Sequence, residues 1–136
     1  MLIIKGGTIV AEGRSFVADI LVADGKIAEI GNSIVADEAS EIFDASGCVV
    51  TYGLADVHVH LREPGYSAKE TITTGTKAAA RGGVTTVCSM PNLLPAPDAP
   101  ETIAIEQQMI DEQAVIEVRP FATISKGRER RELADI

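Results

Sequence analysis

His58 and His60 are the only histidines in the chain, and a single residue separates them. The segment around them, Leu54-Ala55-Asp56-Val57-His58-Val59-His60-Leu61, is rich in apolar and β-branched residues and predicts a strand. Residues i and i+2 of a strand share a face, so the spacing turns both imidazoles the same way. They fall near the strand's C-terminal end, where α/β folds keep their active sites. Two neutral imidazoles converging from one strand suit a zinc-type ion. A bare His-x-His also fits two ordinary histidines with satisfied hydrogen bonds. Asp56 precedes the pair by two positions on the same face, as a partner for a ligating ring or simply a strand residue.

Arg62 lies two positions beyond His60, so an extended backbone would aim its guanidinium into the same mouth. That fork grips carboxylates, although a lone arginine is more often a surface residue. Pro64-Gly65 marks a turn. Asn92, in Met90-Pro91-Asn92, follows the next predicted strand and has an amide suited to a carboxylate or carbonyl. Taken alone it is a turn residue. The basic run Lys126-Gly127-Arg128-Glu129-Arg130-Arg131 reads as a solvated helix start.

These residues need a frame to hold them. Residues 52–136 alternate strand and helix: strand 54–61, helix 67–81, strand 84–89, a proline-rich loop 91–100, helix 101–113, strand 114–118 and helix 128–136. Ser67 and Glu70 have capping-box spacing, and Gly82-Gly83 supplies a stop. Alternation of this kind predicts βαβ units and a parallel sheet. Residues 1–51 instead give short strands, with Asp24-Gly25 as a hairpin signal. They predict a small β-sandwich or open barrel, too small for a large core of its own.

Composition narrows the function. Twenty acidic against twelve basic residues give a net charge of −8, which argues against non-specific nucleic-acid binding. Aromatic residues make up 4% and tryptophan is absent, so stacking platforms are not expected. No apolar stretch is long enough to cross a bilayer, and the first residues do not resemble a signal peptide. Cys48 and Cys88 form no CxxC pattern and are expected as reduced, mostly buried thiols of a cytoplasmic protein.

Taken together, Asp56-Val57-His58-Val59-His60-Leu61-Arg62-Glu63-Pro64-Gly65, Lys69-Glu70-Thr71-Ile72, Gly82-Gly83-Val84-Thr85-Thr86 and Met90-Pro91-Asn92 resemble the dihydroorotases, cyclic amidohydrolases of the metal-dependent amidohydrolase superfamily. Lys5-Gly6-Gly7-Thr8-Ile9-Val10 and Asp24-Gly25-Lys26-Ile27 resemble that family's small β-domain. Allantoinases are similar here but usually carry Asn where Arg62 stands. Dihydropyrimidinases lack the Arg-Glu-Pro-Gly and Met-Pro-Asn pair. The family usually has Pro-Gly before the metal strand, where this chain has Thr51-Tyr52-Gly53.

The resemblance implies an α/β fold: the first three β/α units of a TIM-type barrel (52–136), preceded by part of a small β-sandwich domain (1–51). It implies that His58 and His60 bind zinc, with two ions per complete site, and that Arg62 and Asn92 hold a substrate carboxylate. The implied reaction is the reversible closure of N-carbamoyl-L-aspartate to L-dihydroorotate, a step of pyrimidine biosynthesis. The implied partner is a small molecule rather than nucleic acid or membrane, in a homo-oligomer or with a missing C-terminal segment. The catalytic residue and remaining metal ligands are expected from later strands, because 136 residues fall short of the roughly 250 of a full barrel. The chain alone is therefore expected to be inactive, as a fragment or one half of a split enzyme. The alternatives are another cyclic amidohydrolase, of allantoinase or dihydropyrimidinase type, and a non-catalytic amidohydrolase-like interaction module.

Overall fold

The computed structural model describes residues 1–136 as two compact units, Met1–Tyr52 and Gly53–Ile136.

The first unit is one mixed five-stranded sheet. Its strands are β1 (Leu2–Ala11), β2 (Arg14–Ala23), β3 (Lys26–Gly31), β4 (Glu41–Asp44) and β5 (Val49–Val50). Hairpins join β1 to β2 and β2 to β3, while β4 and β5 both add parallel to β1. The Asp24-Gly25 turn forms as expected, both residues having positive φ. The unit holds one sheet, with a small core of Ile9, Ala18 and Ile20, and no second layer of a sandwich lies within it. Gly6-Gly7 does not end the first strand either. Gly6 takes φ +68° at a bulge, and β1 runs on through it. Asp19 fixes that bulge, since its carboxylate accepts the Gly6 N–H at 2.9 Å and the Ile34 N–H at 3.0 Å. Cys48 and Cys88 are free thiols, Cys88 half-buried. Cys48 is exposed, contrary to expectation, because it sits in a surface turn after Gly47.

The second unit has a parallel three-stranded sheet in the order β6-β7-β8. It comprises β6 (Leu54–Val59), α1 (Ile72–Arg81), β7 (Val84–Ser89), α2 (Pro100–Gln113) and β8 (Glu117–Pro120). Each helix crosses from one strand to the next, and Leu61, Ile72, Val87, Ile110 and Val118 form the core between sheet and helices. No helix is long and apolar enough to cross a membrane.

Several expected boundaries move, and β6 ends at Val59 rather than Leu61, leaving His60 beyond it. Helix α1 starts at Ile72, not near Ser67, because Thr71 is the cap: Thr71 Oγ1 accepts the Thr74 N–H at 3.0 Å. Glu63 and Glu70 add carboxylates there, accepting the Ile72 and Thr71 N–H groups at 2.8 and 3.1 Å. The third strand starts at Glu117 rather than Ala114, because Ala114 is spent as the C-cap of α2. The expected helix 128–136 is absent. Residues Lys126–Arg128 make one 3-10 turn, and Ser125 bridges to Leu133. Gly127, Arg128 and Arg130 all have positive φ, and the turn buries nothing that would drive helix formation.

Candidate functional site

The histidine pair sits where β6 gives out. The β6–β7 register is interrupted between Asp56 and Val59, so the His58 N–H leaves the ladder and bonds Asp56 Oδ1 at 3.0 Å. The two imidazoles lie edge to face, with ring centroids 5.3 Å apart and planes 70° apart. Asp56 is not an imidazole partner: its carboxylate is taken up by the His58 backbone.

Asn92 comes to this pair from the loop after β7. Its Oδ1 lies 2.8 Å from Nδ1 of His60. Two backbone bonds hold the loops together: Met90 N–H to Val59 C=O at 2.8 Å, and Leu94 N–H to Pro64 C=O at 3.1 Å. Gly65 completes the junction. It has φ +102°, and a Cβ built there would meet the Leu94 carbonyl oxygen at 2.5 Å. Only glycine lets the two loops approach this closely.

Arg62 departs from the expected geometry. The strand has already ended, and Arg62 adopts φ +66°, so alternation along an extended backbone does not carry as far as its side chain. It is half-buried and takes part in none of the chain's ion pairs. Its carbonyl accepts the Tyr66 N–H at 2.9 Å, folding the Arg-Glu-Pro-Gly segment into a tight turn. A non-glycine residue keeps this conformation where its neighbours hold it there.

Two buried carboxylates underlie these loops, and the motif reading passed over both. Glu63 is 7% exposed and anchors the N-terminus of α1. Glu106, on α2, is 2% exposed and accepts the Ser89 hydroxyl at 2.7 Å, while its other oxygen has no partner. Burial pushes its pKa up to about 7 against the lowering effect of the Ser89 bond. The signal was in the sequence: Ile103, Glu106 and Ile110 fall at i, i+3 and i+7, so Glu106 shares the inward stripe of α2.

As a metal site the arrangement is partial. Two imidazoles supply two nitrogen donors of the right chemistry, but no group of three His, Cys, Asp or Glu residues converges in the chain. An apolar cavity of about 790 Å³ opens beside Met90 and Pro91, lined also by Phe121, Ile124 and Leu133.

A parallel β/α unit with paired histidines at the end of its first strand points to the amidohydrolase class. The dihydro-orotase-like family profile matches residues 47–136, and the chain belongs to that family. It is 49% identical to a dihydroorotase of Staphylococcus aureus over 99% of this chain and 32% of the relative. It is 48% identical to one of Bacillus cereus over 91% of this chain and 29% of that protein. The chain thus spans about a third of the length of these relatives. Among solved structures it resembles an L-hydantoinase from Arthrobacter aurescens, with TM-score 0.85 and 28% identity over 93% of this chain and 28% of that one. It also resembles a D-hydantoinase from Thermus sp., with TM-score 0.81 and 32% identity over 97% of this chain and 29% of that one.

Proposed function

We propose that the protein containing these residues is a dihydroorotase, interconverting N-carbamoyl-L-aspartate and L-dihydroorotate at a zinc centre in the cytoplasm. The observation that carries this reading is the meeting of His58, His60 and Asn92 where two adjacent parallel strands end. The high identity to curated dihydroorotases favours this activity over hydantoin hydrolysis. In this reading residues 53–136 contribute the first strands of a (β/α)8 barrel, and later strands bring the remaining metal ligands and the catalytic acid–base. A substrate-bearing zinc takes three protein ligands, of which His58 and His60 would be two. When bound, the metal lowers the pKa of water and polarises the scissile carbonyl.

The chain's own residues do the positioning. The Arg62 guanidinium and the Asn92 side-chain amide are the donors that would grip the substrate carboxylate, turning the reacting amide toward the histidine pair. Gly65 and the Leu94–Pro64 bond keep those two donors on loops of fixed separation.

The test is the full-length protein assayed with dihydroorotate, N-carbamoyl-aspartate and hydantoin, before and after chelation. Turnover of the first two, lost on chelation and restored by zinc, is expected. Preferential turnover of hydantoin would move the assignment to the hydantoinase type.

A further inference from the structure

The Asn92–His60 contact has a chemical direction. An amide oxygen can only accept a hydrogen bond, so the 2.8 Å contact between Asn92 Oδ1 and Nδ1 of His60 is a hydrogen bond in the tautomer that carries its proton on Nδ1. A neutral imidazole has one N–H. The proton on Nδ1 therefore leaves Nε2 as the unprotonated nitrogen with a free lone pair. We propose that Asn92 is a positioning residue for His60: its side-chain oxygen locks the Nδ1–H tautomer and ring orientation, so that Nε2 is the atom offered to a metal. The proposal deepens the metal-site reading above, but its first test is independent of any metal.

Several features make the lock effective. Asn92 and His60 are both half-buried, so water competes poorly for the bond. The Asn92 loop is fixed to the end of β6 by the Met90–Val59 bond and to the Arg62 turn by the Leu94–Pro64 bond. His58, by contrast, is exposed, and its backbone rather than its ring is held by Asp56. The two histidines are therefore not equivalent: one ring is oriented in advance, and the other is free to settle. The division of labour within Asn92 follows as well. Its oxygen is committed to His60, while both hydrogens on Nδ2 remain for a ligand carboxylate. One amide thus ties the ligand-gripping side of the site to the metal-binding side.

Long-range nitrogen–proton NMR of the metal-free chain reads the tautomer directly. The measurement is made in alkaline buffer, on the unprotonated imidazole. Only two rings contribute to the spectrum. Free histidine favours the Nε2–H form, so a ring in the Nδ1–H form is diagnostic. The expected result is one such ring in the wild type, its retention in Asn92→Asp, which keeps an accepting oxygen, and its loss in Asn92→Ala. In the full-length protein Asn92→Ala should weaken metal affinity by about 10- to 100-fold, as loss of an outer hydrogen-bond partner does elsewhere. Asn92→Asp should retain most of that affinity while losing the donors that grip substrate. Absence of an Nδ1–H ring in the wild type overturns the proposal, as does its persistence in Asn92→Ala. If the ring is found but the full-length protein binds no metal, the metal-site reading fails and the positioning role stands.

Discussion

Glu106 gives the sharpest test of the packing beneath the site. It is held between α2 and the end of β7, with one oxygen bonded to Ser89 and the other without a partner. Burial raises its pKa from 4.5 to about 7. The folded chain therefore holds this proton more tightly than the unfolded chain, which fixes the sign. The stabilisation is fully present below the unfolded value near 4.5 and is lost as pH rises through the folded value near 7. At 1.36 kcal/mol per pH unit, the whole effect is about 3 kcal/mol, most of which falls between about pH 5 and about pH 8.

Glu106→Gln keeps the shape and the Ser89 bond but cannot titrate. Wild type and variant share every other ionisable group, so subtracting their urea-unfolding free energies at each pH isolates this one carboxyl. The variant is expected to lose about 1–3 kcal/mol at acid pH, because its buried NH2 lacks acceptors. Toward pH 8 the gap should close or reverse as the wild type takes on a buried charge. Parallel pH profiles for the two proteins would refute the reasoning, and a gap that widens with pH would reverse its sign.

Gly65→Ala should cost about 2–4 kcal/mol, from the left-handed backbone and the overlap with the Leu94 carbonyl, checked by thermal unfolding. Thr71→Ala removes the cap of α1 and should cost about 1 kcal/mol in urea unfolding. In the full-length protein Arg62→Ala should lower kcat/KM by about 10- to 100-fold, mainly through KM, with zinc content unchanged. The 136-residue chain alone should show no dihydroorotate hydrolysis, since it assembles no three-ligand metal group.

Sequence patterning yielded most of the second unit because its signals are local and redundant. β-branched runs, the glycine stop at Gly82-Gly83 and the strand–helix alternation all agree on α1, β7 and α2, although the cap of α1 is Thr71 and not Ser67. It failed where the backbone turns left-handed at residues that carry no marker for it. Arg62 and the run Arg128 to Arg130 look like continuations of a strand and a helix start, yet Arg62, Arg128 and Arg130 all have positive φ. Non-glycine residues adopt that conformation only when their surroundings impose it. For Arg62 the surroundings are the Tyr66 bond and the Gly65–Leu94 junction, which join parts of the chain some thirty residues apart. The strand order of the first unit was hidden for a related reason. Pairing of β4 and β5 alongside β1 is a long-range choice, invisible in strands of four and two residues.

The same distinction separates the site residues. His58 and His60 were legible because i, i+2 spacing marks a pair on any extended segment, and the rings lie 5.3 Å apart although β6 ends between them. The role of Asn92 was not, because it depends on which loop reaches across from β7 and which atom of its amide arrives first. The structure turns the oxygen toward His60, at 2.8 Å from Nδ1. That choice has a consequence for substitution. Asp preserves the acceptor and Ala does not, whereas both abolish the donors. A site in which Asn92 served substrate alone would treat the two replacements alike in metal binding. One in which it also holds His60 must separate them, by the 10- to 100-fold that an outer-sphere partner contributes.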